Sequence, residues 1–380
     1  MAETISYDEF VHTGPGTLAG RYLRMFWQPV YCSHELPPGR AVPIRILGED
    51  FTLYRGEGGA PHLVGFRCAH RGTQLSLGWI EEDAIRCFYH GWKYDGSGQC
   101  VEQPAEPKPF AERIRIPIYP VKEYVGLIFA YLGDGEPPPF NRYPKFEVPH
   151  GVVDVLRYDR LCNYFNNIDN SLDSAHVTFV HSRHRDNVSD KAVLGDPVIS
   201  VEESDWGVRR YVKYPNGAEV VAYFGMPNIN YVNGQVVDPE VKRADALIFK
   251  VPVDDDHHAH FEARLIPLEG NEGRRWLEHR RAERAKEASN RAELVQAVLQ
   301  GKLRLDDIDP NRTDYVIIED ELAQSGQGAI ADRSREHLGR SDTGVFLLRK
   351  IWEREIRALA EGQSLKQWTY RPDMVPVYPV

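Results

Sequence analysis

The chain has 380 residues, with 46 Lys and Arg against 56 Asp and Glu, and its formal net charge is −10 at pH 7. This length predicts two or three domains, and the acidic balance argues against nucleic acid or an anionic membrane as the main partner. The longest nearly unbroken apolar run, residues 125–132, is too short to cross a bilayer. The first residues lack the basic start and apolar stretch of a secretory signal, so we expect a cytoplasmic protein.

The first third of the chain has the pattern of antiparallel strands. Between residues 24 and 132, short runs that alternate apolar and polar residues are separated by Gly-rich turn signals. Residues 122–132 are expected to form one of these strands. Residues 133–144 contain three consecutive prolines and two glycines, which predict a linker. We therefore expect one domain over residues 1–135 and another over residues 145–380.

The second part of the chain predicts a sheet surrounded by helices. Residues 151–160 are expected to form a strand, residues 163–176 a helix, and residues 195–268 several alternating strands. One long, highly charged helix is predicted from Arg274, and an amphipathic helix is predicted from Ser341. The predicted fold class is α+β, in which an all-β region precedes a mostly antiparallel sheet wrapped by helices.

Two short segments in the first part combine cysteine and histidine in a repeated arrangement. Cys68 and His70 are separated by one residue, Cys87 and His90 by two, and each pair is followed by a glycine that permits a tight turn. Two thiolates and two imidazoles are the ligand set of a Rieske [2Fe–2S] cluster, in which two histidines bind one of the irons. A structural zinc site is the alternative, but such sites usually pair their cysteines first and their histidines second.

The sequences around these residues, CAHRG and CFYHGWKYD, resemble the Rieske domain of ring-hydroxylating oxygenases. Rieske proteins of respiratory complexes carry a further disulfide-forming cysteine in each loop, whereas this chain has Thr73 and Tyr89 at the matching positions. This departure indicates the oxygenase branch. The resemblance implies that Trp92 covers the cluster at a subunit interface, while Phe88 is expected to pack in the core.

A second candidate site follows the linker. Asp173 and His176 are three residues apart and would share one face of a helix. His181 would lie about 140° further around an ideal helix, so the helix must break before His181 if both imidazoles are to bind one metal. Two histidines and one carboxylate form the facial triad of non-haem Fe(II) oxygenases, which leaves positions open for O₂. A solvated helix face is the alternative for this pattern taken alone.

The pattern N-x-x-D-x-x-H-x-x-x-x-H resembles the catalytic domain of Rieske oxygenases, whose fold is a helix-grip (START-like) antiparallel sheet with helices. The resemblance implies that His176 and His181 bind a mononuclear Fe²⁺ and that Asn170 lies near it. It also implies that Asp173 is an inter-subunit bridge for electron transfer, hydrogen-bonded to an iron-binding histidine and to a Rieske histidine of the neighbouring subunit.

A later block, residues 318–342, resembles the phthalate-dioxygenase-like branch of the same family. In that branch an aspartate that follows Glu or Gln is the third iron ligand, and the matching residue here is Asp320. Glu319 and Asp332 are its rivals, although Asp332 is better interpreted as a structural residue paired with arginine. The run Asp254–His260 is rich in metal-binding side chains, but the resemblance assigns no ligand there, and we expect a strand or turn.

The resemblance extends over nearly the whole chain and implies the alpha (oxygenase) subunit of a multicomponent aromatic ring-hydroxylating oxygenase. Such a protein uses O₂ to hydroxylate or O-demethylate a small aromatic compound, here expected to be carboxylated or methoxylated. Because nothing in the chain resembles a flavin or nicotinamide site, electrons are expected from a separate NAD(P)H-dependent reductase of flavin or ferredoxin type. The family resemblance further implies a head-to-tail homotrimer.

Two other functions stay open at this point. One is a desaturase or monooxygenase that acts on a non-aromatic substrate with the same residues. The other is an electron carrier whose second domain binds a ligand without chemistry. Arg209, Arg210 and Lys213 are candidates for binding a substrate carboxylate, although exposed charges on a strand are the more common explanation for such residues.

Overall fold

The computed structural model describes residues 5–147, 151–181, 197–215, 217, 219–235, 241 and 244–374. These residues have the predicted α+β organisation, in which small sheets come first and a large sheet with most of the helices follows. The α-helices within these residues are α1 (Asp8–Val11), α2 (Leu18–Arg24), α3 (Tyr164–Leu172), α4 (Ala175–Val180), α5 (Gly270–Ala288), α6 (Arg291–Leu299), α7 (Tyr315–Ser325) and α8 (Thr343–Ala360).

The strands of the first part form three antiparallel sheets, with the orders β1-β11-β10, β2-β3-β4-β9 and β5-β6-β7-β8. Both cysteine–histidine segments lie in loops next to these strands. The strands are β1 (Trp27–Cys32), β2 (Ala41–Ile46), β3 (Glu49–Arg55), β4 (Pro61–Gly65), β5 (Trp79–Glu81), β6 (Ala84–Arg86), β7 (Lys93–Tyr94), β8 (Cys100–Glu102), β9 (Ile118–Tyr119), β10 (Val121–Tyr124) and β11 (Leu127–Tyr131).

The second part contains one antiparallel sheet of seven strands in the order β12-β18-β17-β16-β15-β14-β13. Helix α3 packs against β17, and β17 is buried along its whole length because it lies in the middle of the sheet beneath this helix. The strands are β12 (Val152–Arg160), β13 (Val198–Glu203), β14 (Gly207–Lys213), β15 (Glu219–Gly225), β16 (Ile229–Gln235), β17 (Ala244–Pro252) and β18 (His258–Ile266).

Two predicted elements are interrupted. Residues 122–132 form a hairpin rather than one strand, because Val125 (φ 47°) and Gly126 (φ 80°) turn the chain between β10 and β11. The long charged helix predicted from Arg274 ends at Ala288, and α6 begins after a break at residues 289–290. Both breaks lie within patterns that continue on either side, so hydrophobic periodicity alone did not reveal them.

The helix predicted over residues 163–176 ends at Leu172, and a second helix begins at Ala175. The break occurs at Asp173, which is extended (φ −83°, ψ 112°). The Asp173 carboxylate accepts hydrogen bonds from the backbone N–H of Ala175 (2.8 Å) and of His176 (3.3 Å). A short polar side chain that bonds to nearby backbone competes with helix continuation. The predicted helix therefore ends four residues early, and this break lies before His176. The end that the spacing required before His181 comes separately, because α4 ends at Val180 and His181 follows as its C-cap.

The sheet β1-β11-β10 packs on the large sheet through a continuous apolar core. The ring centroids of Phe129 in β11 and Phe249 in β17 are 5.5 Å apart. Close by, Asn228 Nδ2 donates to Gln28 Oε1 at 2.9 Å, so the polar groups buried in this contact are paired. This packing holds the first and second parts of the chain against each other.

Candidate metal centres

The two cysteine–histidine loops repeat one backbone hydrogen-bond pattern. Gly72 N–H donates to the carbonyl of Cys68 at 3.0 Å, and Gly91 N–H donates to the carbonyl of Cys87 at 3.1 Å. The two glycines have nearly equal φ values, 74° and 72°, in the left-handed region that L residues adopt at a cost. The repeated spacing in the sequence therefore corresponds to two equivalent tight turns.

The loops bring two thiols and two imidazoles together. Cys68 and Cys87 are buried, whereas His70 and His90 are partly exposed with their ring centroids 4.5 Å apart. The His70 ring stacks on Trp92 at 4.5 Å, and its Nδ1 is buried without a hydrogen-bond partner among the described residues. The two buried sulfurs and the two adjacent imidazoles fit the ligand set of a Rieske cluster, and the ring nitrogen of His70 without a partner is available for a metal.

The aromatic residues of the second loop divide into two groups. Trp92 is buried, and its expected role at a subunit interface stays a prediction. Phe88 is 64% exposed, so the expectation that it packs in the core is wrong. It lies between buried Cys87 and partly exposed His90 in the loop, where the turn directs its ring outward. Tyr89 is also exposed, so both side chains form part of the surface around the two histidines.

A hydroxyl group contacts the first loop from a neighbouring strand. The Tyr94 hydroxyl lies 3.2 Å from Cys68 Sγ, and the same oxygen accepts a hydrogen bond from Ala69 N–H at 3.2 Å. Because the backbone amide already donates to this oxygen, the hydroxyl proton is available for the sulfur. Burial is the first cause of the raised pKa of Tyr94, so its hydroxyl keeps that proton at neutral pH.

Three side chains from α4, its C-terminal end and α7 converge on one point. Asp320 Oδ1 lies 3.3 Å from His181 Nε2 and 3.9 Å from His176 Nε2. The three ligand atoms all lie within 4.8 Å of one another. Asp320 Oδ1 is buried and makes no hydrogen bond with the described residues. Two imidazole nitrogens and a carboxylate oxygen that lacks a hydrogen-bond partner fit a mononuclear Fe(II) ligand set.

The rivals of Asp320 lie elsewhere. Glu319 contacts the opposite nitrogen of the same imidazole, with its Oε2 2.9 Å from His181 Nδ1. Burial disfavours a charged His181, but the carboxylates of Asp320 and Glu319 outweigh it and raise the pKa of His181 to about 9. Asp332 is exposed, caps Ser334 and lies 3.6 Å from Arg335 Nε. Glu319 is thus placed to orient a ligand, and Asp332 is placed away from the converging group.

The remaining carboxylate oxygen of Asp320 faces a buried arginine. Arg160 Nη2, at the end of β12, lies 3.5 Å from Asp320 Oδ2. Although burial opposes ionisation, the neighbouring His181, Arg160 and His176 hold the pKa of Asp320 well below its ordinary value. The carboxylate is therefore ionised at neutral pH, as a metal ligand must be.

Asp173 lies beside His176 on the outer side of the group. Its Oδ2 is 3.6 Å from His176 Nδ1, and its side chain is 27% exposed. Burial opposes ionisation of this carboxyl, but the neighbouring His176 lowers its pKa. Asn170 is one turn earlier on α3, where its carbonyl accepts from Asp173 N–H at 3.2 Å. Its position near a metal stays a prediction.

The structure also shows a buried polar face that sequence patterns did not single out. On the side of the large sheet that α3 covers, His258 Nε2 lies 2.8 Å from Asn167 Nδ2, and His260 stacks on Tyr158. Lys250 and Glu262 belong to the same face. The signal was alternation: in β18 every second residue is polar, although the strand is mostly buried. The preceding residues form a turn, so the expectation of a strand or turn over residues 254–260 is correct.

The basic residues considered as carboxylate anchors have internal partners. Arg209 Nη1 lies 3.1 Å from Glu202, and the exposed Lys213 lies 3.0 Å from Glu219. Arg210 is turned toward α3, where its Nη1 donates to the carbonyl of Ser171 at 3.2 Å. None of the three is placed among the converging ligand atoms.

Comparison with known proteins gives consistent relatives. A family model described as "Rieske [2Fe-2S] domain" matches residues 26–124. The 5,5'-dehydrodivanillate O-demethylase oxygenase subunit of Sphingobium sp. (strain NBRC 103272 / SYK-6) is 28% identical over 373 residues, covering 94% of this chain and 81% of that protein. Phenoxybenzoate dioxygenase subunit alpha of Ectopseudomonas oleovorans is 31% identical over 375 residues, covering 91% of this chain and 84% of that protein.

A solved structure shares the fold. It is the reduced complex between oxygenase and ferredoxin in carbazole 1,9a-dioxygenase, with a TM-score of 0.61 and 20% sequence identity. The alignment covers 94% of this chain and 94% of that one. Within the described residues, the helices of this chain are all too short or too polar to span a membrane.

Proposed function

Since this chain belongs to the Rieske aromatic ring-hydroxylating oxygenases, as an oxygenase alpha subunit, we propose that it hydroxylates or O-demethylates a small aromatic compound with O₂. The proposal places a mononuclear iron between His176, His181 and Asp320. The observation that supports it best is the convergence of these three ligand atoms in a chain whose first part supplies two thiols and two imidazoles.

Two groups of residues would hold the irons. Cys68, Cys87, His70 and His90 would bind the [2Fe–2S] cluster, and the converging group would bind the single Fe²⁺. When bound, the cluster supplies electrons one at a time, and the mononuclear iron supplies open positions for O₂ beside the substrate. We further propose that residues 1–135 serve the first task and residues 145–380 the second, joined by the linker at 133–144.

Neighbouring residues would fix the ligand geometry. Glu319 accepts the proton of His181 Nδ1–H, which leaves the lone pair of Nε2 directed at the metal position. Arg160 holds Asp320 Oδ2, so that Oδ1 is the oxygen left for the metal. Such contacts decide which nitrogen of a histidine gives up its proton when the metal binds and fix the orientation of a carboxylate.

Asp173 would connect the two iron centres between subunits. Its carboxylate lies beside His176 Nδ1 and is partly exposed, so a histidine from another subunit could reach its free edge. His70 and His90 are partly exposed on their own loops and are suited to be that histidine. We propose that such contacts occur in a head-to-tail homotrimer, as the family resemblance implies, in which each cluster serves the iron of the next subunit.

The electrons would come from a separate protein. In monooxygenation, O₂ takes up two electrons and two protons, one oxygen atom enters the substrate and the other leaves as water. In O-demethylation, the hydroxylated methyl group then leaves as formaldehyde. A related fold was solved with a ferredoxin bound, which supports an electron-transfer partner here. We propose an NAD(P)H-dependent reductase of flavin or ferredoxin type, and hence a cytoplasmic setting.

The proposal is tested by supplying reductase, NADH and a panel of aromatic and methoxylated aromatic acids to the iron-replete protein. Oxygen uptake, product mass and formaldehyde are measured under ¹⁸O₂. We expect substrate-dependent uptake with label in the product or release of formaldehyde. Transfer of electrons to an artificial acceptor without any labelled product, formaldehyde or altered substrate would contradict the proposal and favour an electron carrier. The His181→Ala variant, which should keep the cluster, is the matched control.

A further inference from the structure

We propose that Lys250 and Arg160 form a binding site for the carboxylate of an aromatic acid, on the sheet face beside the candidate iron ligands. The inference rests on the proposed function and narrows its substrate class. It assigns to Lys250 a role in substrate binding that the motifs of the chain do not indicate.

The strand register places these two residues on one face of the sheet. Lys250 in β17 is the cross-strand partner of His260 in β18, which in turn is the partner of Tyr158 in β12. Cross-strand partners point to the same side of a sheet, and so do residues two apart on one strand. Arg160, two residues after Tyr158, is therefore on this side as well.

This face lies next to the proposed iron position. Arg160 Nη2 is 3.5 Å from Asp320 Oδ2, and Asp320 belongs to the converging ligand group. Asn167 of α3 bonds to His258 from above the same face. A substrate group bound here would lie beside Asp320, on the face of the sheet that α3 contacts.

Lys250 has a buried amino group that finds no acceptor among the described residues. Its side chain is 1% exposed, and its Nζ makes no hydrogen bond with any of the residues that the structure describes. The Nζ lies 5.7 Å from the centroid of the Phe224 ring, which is a weak contact for an ammonium group. Burying an ammonium without an acceptor is costly, so proteins seldom retain one without a function.

The nearby carboxylates of Glu262 and Asp320 have other partners and do not pair with the Lys250 amino group. Glu262 is engaged by Arg264, whose Nη2 lies 3.0 Å from Glu262 Oε2. In Asp320, Oδ2 faces Arg160 and Oδ1 faces the proposed metal position. Burial, and then the charge of Arg160, hold the pKa of Lys250 well below its ordinary value, and the opposing influence of Glu262 and Asp320 does not restore it. An incoming carboxylate would favour the protonated form of Lys250 and accept its hydrogen bonds.

Arg160 has unused donors of its own. Its Nη2 faces Asp320 and the Tyr158 hydroxyl, but its Nε and Nη1 have no hydrogen-bond partner among the described residues. The guanidinium is 1% exposed and so is cut off from solvent. An ammonium and two guanidinium N–H groups on one face match the two oxygens of a carboxylate. His258 and His260, on the same face, have lowered pKa values because of burial and are neutral.

The test compares acids with their neutral amides on the iron-replete protein. Benzoate and 4-methoxybenzoate are paired with benzamide and 4-methoxybenzamide, and binding is followed by calorimetry and by the rise in Tm on ligand addition. We expect the wild-type protein to bind the acids at least about tenfold tighter than the amides. In Lys250→Met, acid binding should weaken by about tenfold or more while amide binding stays unchanged.

Two controls separate binding from structure. Lys213→Met removes an exposed lysine (64% exposed) from the same sheet and should leave acid binding unchanged. Without ligand, Lys250→Met should be at least as stable as the wild-type protein, because a buried polar group without a hydrogen-bond partner has been removed. A purely structural lysine would instead lower the Tm of the variant. If that variant does not fold, the preference of the wild-type protein for acids over amides decides.

The proposal is overturned if wild-type protein does not prefer the acids, including the case in which none of the four compounds binds. It is also overturned if Lys250→Met binds the acids as tightly as the wild-type protein. These outcomes are distinct from failure of the proposed function. If only neutral aromatic compounds are oxygenated, the carboxylate site is wrong but the oxygenase function stands. If the acids bind tightly and no compound is oxygenated, the carboxylate site stands but the oxygenase function is wrong.

Discussion

The two candidate iron centres are built from the chain in opposite ways. The thiols and imidazoles of the first centre come from residues 68–90, and their loops are shaped by local backbone hydrogen bonds and two glycines. The ligands of the second centre come from α4 and α7, which are more than a hundred residues apart and meet only through tertiary packing. The first centre is thus encoded locally and the second by the whole fold.

The surroundings of the two centres also differ, in their exposure to solvent. His70 and His90 are partly exposed beside the exposed rings of Phe88 and Tyr89, which suits a group that passes electrons to another protein or subunit. Asp320, by contrast, lies among buried charged residues on both sides. A centre that activates O₂ benefits from such a fixed, water-poor setting because electrostatic contacts are stronger there. The difference suggests that mutations will affect one centre without the other.

The largest expected effect is the loss of the second centre alone. Asp320→Ala removes the only carboxylate of the converging group, so we expect loss of the mononuclear iron and of all substrate oxidation. The cluster should remain, because its ligands are distant in the chain. Iron content, acid-labile sulfide and product formation are measured, with Asp332→Ala, an exposed carboxylate, as the control. Full iron content with normal turnover in Asp320→Ala would show that another residue is the ligand.

A nearly complete loss of turnover is expected from Asp173, with both irons retained. Asp173→Ala and Asp173→Asn each remove the carboxylate beside His176 that we propose to connect the centres. The asparagine oxygen can still cap α4, so only Asp173→Ala should also lose about 1 kcal/mol of stability. Steady-state turnover with reductase and the free energy of unfolding are measured. Normal turnover in Asp173→Asn would contradict the bridging role.

A smaller effect is expected from the residue that orients His181. Glu319→Gln replaces the acceptor of His181 Nδ1–H by a neutral group, so affinity for the mononuclear iron should fall about ten- to a hundredfold. Glu321→Gln is the matched control, because Glu321 is an adjacent buried carboxylate that interacts with Leu161 N–H instead. Affinity is measured by titrating Fe²⁺ into protein that lacks this iron. Equal affinities for both variants would contradict the orienting role.

The smallest effects concern the paired turns of the first centre. Alanine at Gly72 meets no atom within 4 Å, whereas a Cβ at Gly91 would lie 2.9 Å from Pro104 Cγ. Both substitutions impose a left-handed conformation on a residue with a Cβ, at about 1–2 kcal/mol. Gly91→Ala should therefore cost more stability than Gly72→Ala and lose more cluster. Urea unfolding and sulfide content measure both, and equal costs would mean that the contact with Pro104 relaxes freely.

The sequence predicted the first centre well because its ligands are contiguous. Two short segments, each with a cysteine, a histidine and a glycine at the same distance from the cysteine, describe the loops almost completely. The spacing does not show which way each side chain points. Phe88 was expected in the core but is exposed. Its neighbours are a buried cysteine and a partly exposed histidine, so its exposure depends on the geometry of the turn rather than on its hydrophobicity.

The second centre could be predicted only in part. The spacing of His176 and His181 required the helix to end between them, and α4 does end at Val180. The additional break at Asp173, which depends on its bonds to the backbone of Ala175 and His176, was not predicted. The choice of Asp320 over Glu319 came from family resemblance. Adjacent acids on one helix point to different sides of it, and the sequence does not show which side faces the histidines. Lys250 gave no signal at all, because a single lysine in an apolar strand does not reveal whether its ammonium group has a partner.

Electron transfer from the first centre to the second through Asp173 can be followed at the cluster itself. Protein reduced beforehand, without reductase, is mixed with O₂ and a substrate that supports oxygen uptake, then frozen at intervals for EPR. We expect the reduced Rieske signal to disappear as product forms in the wild-type protein and to persist in Asp173→Asn. Equally rapid loss of the signal with equal product in both proteins would show that Asp173 does not carry the electrons.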